Sequence, residues 1–155
     1  MVYKKQLLSL FLLFSVLSNN VHADGEQAPV VITEANFEQE MLESKIPVLL
    51  YSYDVDSALH KTFLPLFTKI CPEFTGQLKF AIMNIDENYD VVDKLNIMGE
   101  SLLLMHKGQE YGYYQYFGNV LTKTSLRLAC RNTLKNLKQY DQQHADHDDE
   151  DEDSE

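Results

Sequence analysis

What this chain has little of narrows the reading first. It holds two cysteines, Cys71 and Cys130. They stand 59 positions apart and match no zinc-site spacing, because a structural zinc site wants ligand pairs separated by about two to four residues. Long apolar runs are missing as well. The longest, Leu7 to Leu17, has eleven residues, whereas a helix that crosses a bilayer needs about 20. Positive charge is scarce: 13 Lys and Arg stand against 24 Asp and Glu, for a formal net charge of −11. A surface of that sign repels phosphate backbones, so nucleic acid is excluded as a partner. No internal repeat runs along the chain.

The short apolar run has a meaning of its own. Lys4 and Lys5 precede it, and polar Ser18, Asn19 and Asn20 lead to Val21-His22-Ala23. A charged start, a short hydrophobic stretch and a small-residue site predict a secretory signal peptide over residues 1–23, cleaved after Ala23. The mature chain is then exported to a periplasm, a secretory lumen or the outside. Its 132 residues suffice for one domain with a core. Nine of its carboxylates lie between Asp141 and Glu155, a segment without lysine or arginine. The organisation expected is a leader over 24–29, a folded domain over 30–140 and a disordered acidic tail over 141–155. Such a tail buries too little apolar surface to offset its ordering entropy.

Within the domain, Val30 to Ile32 reads as a brief strand, and Thr33 as the cap of a helix that runs to about Ser44 and buries Phe37 and Met41. The apolar run from Pro47 to Tyr53 is a buried strand. A polar turn follows, then a segment with Leu59, Phe63, Leu66, Phe67 and Ile70 near the spacing of one helix face. Pro65 falls inside that helix, and Pro72 stops it. Leu78 to Asn84 is nearly all apolar and predicts a central strand. A short helix then buries Val91, Val92 and Leu95. Leu102 to Met105 and Glu110 to Phe117 form a hairpin about Lys107-Gly108. Thr122 or Thr124 caps a last helix with Leu126, Ala129, Cys130, Leu134 and Leu137 on one stripe.

The strand, turn and proline-bearing helix around Ser57 and His60 resemble the thioredoxin family, in which C-x-x-C sits on that turn. In register over roughly residues 33 to 107, Thr33 and Phe37 match the family's first helix. Pro65 matches its helix proline, Asn84-Ile85-Asp86 the end of its third strand, and Ile97-Met98-Gly99 the approach to its active-site proline. The resemblance implies an α/β thioredoxin-like fold, a central mixed sheet with helices on both faces. It also implies a redox site without its chemistry. The two cysteine positions are Ser57 and His60, the buried acid is Tyr51, its lysine Ile82, the tryptophan Asp56, and the active-site proline Ser101, preceded by Glu100. A cis bond before Ser101 would cost about 3 kcal/mol, so a trans bond is expected there.

Thiol exchange needs a thiolate and a resolving thiol, and Ser57 with His60 supply neither. The reading that follows is a protein-binding or chaperone-like module that is no enzyme and needs no cofactor. By the resemblance, Tyr53, Asp56, Ser57, His60, Glu100 and Ser101 line its groove. Acids at Asp54, Asp56 and Glu100 favour a basic protein or peptide as partner. Three alternatives stay open. Ser57 and His60, three apart at a helix start, could pair with Asp54 or Asp56 as a hydrolase. Cys71 and Cys130, on helices that share one face of the family's sheet, could form a disulfide or carry residual redox work. The tail, with His144 and His147 among its carboxylates, could collect divalent cations weakly. Tyr111, Tyr113, Tyr114, Tyr116 and Phe117 are either core or an aromatic contact surface.

Overall fold

Strand β2, Val48–Tyr53, explains the layering of the molecule. Five of its six residues are buried and Tyr53 is half-buried, and successive side chains of a strand point to opposite faces. Leu49 and Tyr51 therefore enter one core, with Phe63, Phe67, Phe80, Leu102 and Leu126. Val48 and Leu50 enter a second, with Phe37, Met41, Met83, Val91 and Leu103. A strand covered on both faces sits at the centre of a three-layer molecule.

A computed structural model describes residues 28–114 and 122–145, except for the side chains of residues 113, 114 and 145. Its sheet has five strands in the order β1-β3-β2-β4-β5. These are β1 (Val30–Val31), β2, β3 (Lys79–Asn84), β4 (Ser101–His106) and β5 (Gln109–Tyr114). The first three are parallel, with Tyr51 beside Ile82, while β4 runs antiparallel to β2 and to β5. Helices α1 (Ala58–Ile70) and α3 (Lys123–Ala145) supply side chains to the Tyr51 core. A π-helical turn, Glu38–Leu42, and α2, Tyr89–Lys94, cover the other face. This is the expected α/β sandwich with a mixed sheet.

Several boundaries differ from expectation, each for a local reason. The first helix contracts to the π-helical turn, closed by Glu43 N–H donating to the Glu38 carbonyl. Thr33 does not cap it. Asn36 instead accepts the Thr33 N–H through Oδ1 at 2.8 Å and donates from Nδ2 to the Val31 carbonyl at 2.9 Å. Pro65 lies within α1 on an exposed position, and α1 ends at Ile70, where a 3₁₀ turn, Cys71–Phe74, takes over with Pro72 near its start. At α3, Thr122 rather than Thr124 is the cap. Thr122 Oγ1 accepts the Ser125 N–H at 3.1 Å, and Ser125 Oγ accepts the Thr122 N–H at 3.2 Å, a reciprocal arrangement that satisfies two orphan donors. Ala129 is exposed rather than on the buried stripe.

Helix α3 also continues to Ala145, past Tyr140, where the disordered tail was expected to begin. Asp141 anchors the extension: its carboxylate accepts from Lys107 Nζ at 2.7 Å and pairs with His106 Nε2 at 3.0 Å. Those contacts, Lys107 first, hold the Asp141 carboxyl below its ordinary range. The residues beyond Ala145, like the expected signal peptide over residues 1–23 and Tyr116 and Phe117 of the expected hairpin strand, lie outside the described residues. So do the Tyr113 and Tyr114 side chains. Tyr111 is 37% exposed and meets Tyr140 edge-on at 5.3 Å, an aromatic pair that secures the same helix end.

Lys107 and Gly108 at the β4–β5 turn have φ of 52° and 74°. Two positive values make the tight turn whose twist matches paired strands. A Cβ on Gly108 would meet the Leu42 carbonyl oxygen at 2.9 Å, so the hairpin closes directly on the π-helical turn. Gly108→Ala is therefore expected to destabilise the fold by about 1–3 kcal/mol, read as a lower midpoint in urea with an unchanged slope.

Candidate functional site

The sheet directs its polar residues to one end. Strands β2 and β3 finish there and β4 begins there, because β3 is parallel and β4 antiparallel to β2. The last three residues of β2 are Tyr51, Ser52 and Tyr53, three hydroxyls of which the first two are buried and the third half-buried. Buried hydroxyls need partners, and the neighbouring loops provide them.

Glu100, in the loop before β4, is the principal partner. Its Oε1 accepts from the Tyr51 hydroxyl at 3.0 Å and its Oε2 from the Ser57 hydroxyl at 2.5 Å. Burial, then the hydrogen bond and charge of Glu100, push the Tyr51 phenol far above its ordinary pKa. The phenol stays a donor across the accessible pH range. Ser57 is also the N-cap of α1, with Oγ accepting the Leu59 N–H at 3.0 Å. The turn before it is set by Asp54, whose Oδ1 accepts the Asp56 N–H at 2.8 Å and whose carbonyl accepts the Ser57 N–H at 3.2 Å. Asp56 itself is exposed on the rim.

His60 lies one turn into α1 and stacks on Tyr53, with ring centroids 4.0 Å apart and planes within 14°. It also faces Tyr51 at 6.0 Å. The Ser57 proton goes to Glu100, and Asp54 serves the turn. A Ser57–His60–aspartate relay is thus not assembled. Ser101 needs a correction of a different kind. It is 0% exposed and its Oγ lies 2.6 Å from Ser52 Oγ, so it stands behind the groove and not on its wall. Ser52 donates onward to the Gly99 carbonyl at 3.2 Å. The Glu100–Ser101 bond is trans, as no cis peptide occurs among the described residues. Tyr51 links the Ser57–Glu100 pair to the Tyr53–His60 stack.

Asn88 was not foreseen. Its side chain is 5% exposed, accepts the Glu34 N–H at 3.1 Å and donates to the Asn84 carbonyl at 2.9 Å. It ties the loop after β3 to the entry of the π-helical turn. An asparagine among acids in a loop, Asp86-Glu-Asn-Tyr-Asp90, carries no sequence signal that distinguishes it from a solvated one.

The thiols lie away from this end. Cys71 and Cys130 are both free and both buried in the Tyr51 core, without a bond between them. The possible Cys71–Cys130 disulfide is therefore corrected: sharing one face of the sheet does not bring two sulfurs to bonding distance. Burial pushes Cys71 up to about 11 and Cys130 up to about 12. Among the described residues no group of three His, Cys, Asp or Glu could hold a metal ion, and His144 Nδ1 lies 2.8 Å from the Tyr140 carbonyl. His147 and most of the acidic segment are outside the described residues. No helix among the described residues is long and apolar enough to cross a membrane.

The raised thiols have a measurable signature. At pH 8 the native protein should react with iodoacetamide at least about a hundredfold more slowly than an ordinary thiol, and at an ordinary rate in denaturant. The folded chain holds these protons more tightly than the unfolded chain. Their contribution to stability is therefore intact below about pH 9 and is lost as pH rises through 11 to 12. Melts across that range check the sign.

Comparison with known proteins agrees with this geometry. The thioredoxin family model matches residues 28–129. Thioredoxin of Pseudomonas aeruginosa is 32% identical over 78 residues, covering 50% of this chain and 72% of that protein. Thioredoxin of Haemophilus influenzae is 32% identical over 79 residues, covering 50% and 74%, and that of Rickettsia felis 30% identical over 79 residues, covering 51% and 75%. With the sheet order, the helices on both faces and a match over most of its length, this chain belongs to the thioredoxin family.

Proposed function

We propose that this is an exported member of its family that binds protein or peptide segments and performs no thiol–disulfide exchange. The observation that carries the reading is the Ser57–Glu100 hydrogen bond of 2.5 Å. At the helix start, where the family's exchange chemistry would place its nucleophile, a hydroxyl is tied to a carboxylate. A hydroxyl is far too weak an acid to act as a thiolate does, and a carboxylate partner opposes loss of its proton. The chain's two thiols are buried with raised pKa values. Redox work through Cys71 and Cys130 would need them exposed and acidic.

The binding half of the reading rests on the rim. Asp54 and Asp56 flank Val55 in the turn before Ser57, and Glu100 accepts from the Ser57 hydroxyl, while Val55 and Met98 are 51% and 73% exposed. Carboxylates beside exposed apolar surface suit an extended segment that carries Lys or Arg with apolar neighbours. Export rests on the sequence of residues 1–23.

Two measurements test the two halves. In an insulin-reduction assay driven by dithiothreitol, the protein should add nothing to the rate of the reductant alone; a rate lost in Cys71→Ala would support redox work instead. A photo-crosslinker placed at Ser57 should capture a cationic, partly apolar peptide in preference to its acidic counterpart. Asp56→Asn should weaken that peptide by up to about fivefold, the size of an exposed charge pair. Equal capture of both peptides would end the electrostatic reading.

A further inference from the structure

Helix α3 carries the opposite charge from the rest of the chain. Five of the thirteen Lys and Arg lie on it, at Lys123, Arg127, Arg131, Lys135 and Lys138, against the single acid Asp141. Glu73, on the neighbouring 3₁₀ turn, takes up the first two. Arg127 and Lys123 reach its carboxylate at 2.5 and 3.3 Å, and Arg127 above all keeps that carboxyl at about 2. The other three are exposed and, among the described residues, take part in no ion pair. They stand at intervals of four and three, so about 60° of the helix circumference holds all of them and about 10 Å of its length separates the first from the last. Together they line an open cleft of about 390 Å³ whose remaining walls are Glu73, Phe74, Gln77 and Leu134.

We propose that this cleft is the docking site for an extended acidic segment of a separate protein, one with Asp or Glu at alternate positions. The three free cations supply the complement in charge, and Arg131 adds a planar fork that can take a carboxylate in bidentate fashion. Their spacing favours a strand-like ligand. Alternate side chains of an extended segment lie on one side about 6.6–7 Å apart, so two or three of its carboxylates span a row of about 10 Å. The other walls suit polypeptide as well. Gln77 offers an amide donor and an acceptor to a passing main chain, and half-buried Leu134 beside buried Phe74 gives it apolar ground. Glu73 limits what else fits. A polymer or lipid surface with a phosphate at every unit would press its charge onto this carboxylate, whereas a peptide with spaced carboxylates can stop short of it. The cleft shares no residue with the groove at Ser57 and carries the opposite charge, so the two readings stand or fall separately.

Fluorescence anisotropy of a labelled peptide of about six residues, alternating Asp and Val, titrated with the full chain tests it. A counterpart with Asn for Asp should bind at least about tenfold more weakly, and the double substitution Arg131→Gln with Lys135→Gln should weaken the acidic peptide by about tenfold, the size of two exposed charge pairs. Lys45→Gln removes an exposed lysine outside the cleft and should leave binding unchanged. Zero-length carbodiimide coupling, which joins only carboxylates and amines in contact, should link the bound peptide to Lys135 or Lys138. Equal binding of the two peptides, or equal binding by the native chain and the double variant, would overturn the proposal. So would phosphatidylglycerol vesicles that displace the peptide and lose their own binding in the double variant, which would assign the cleft to a membrane surface. Coupling of Lys135 and Lys138 to carboxylates of the same chain in place of the peptide would overturn it too.

Discussion

The molecule is organised by one constraint: β2 is buried on both faces yet ends in three hydroxyl-bearing residues. The apolar half of the strand, Val48 to Leu50, needs only helices on either side. The polar half needs hydrogen-bond partners, because an unpaired hydroxyl in such a place costs about 1–3 kcal/mol. Glu100 serves Tyr51, Ser101 serves Ser52, and His60 covers the ring of Tyr53. Each partner comes from a different element at the same end of the sheet, so satisfying the strand draws that end together.

That constraint also governs this end of the sheet. Glu100 answers both the buried phenol of Tyr51 and the cap hydroxyl of Ser57, so it couples the core to the start of α1. The Ser57 hydroxyl is committed to structure, donating to Glu100 and capping α1. The opposite charge collects on α3, which packs beside α1 on the same face of the sheet and meets Glu73 beyond the end of α1. One small domain thereby carries Glu100 at one end of its sheet and a row of five Lys and Arg on α3.

Much of the fold was legible because its signals are periodic or local. The apolar runs of β2, β3 and β4 and the heptad-like spacing in α1 marked a sandwiched sheet, and the register around Pro65 and Asn84 named the family. Where expectation failed, long-range contacts outweighed local preference. The cap assigned to Thr33 is not made, and Asn36 instead ties the entry of the π-helical turn back to β1. The helix α3 passed Tyr140 into acidic sequence because Asp141 meets His106 and Lys107, residues 34 or 35 positions away. Ser101 proved buried because its hydroxyl belongs to Ser52 across the sheet, a pairing that no spacing along the chain announces.

The sequence by itself determined the membership of the family and the two covered faces of the sheet. These follow from residue identity and from periodicities of two and 3.6, which depend on neighbours along the chain. Only the tertiary structure decided which groups meet: that Glu100 holds Tyr51 and Ser57, that His60 stacks and serves no relay, and that Cys71 and Cys130 share a core without bonding. Such outcomes depend on distances across elements, where a shift of an ångström or two separates a hydrogen bond or a disulfide from a mere neighbour.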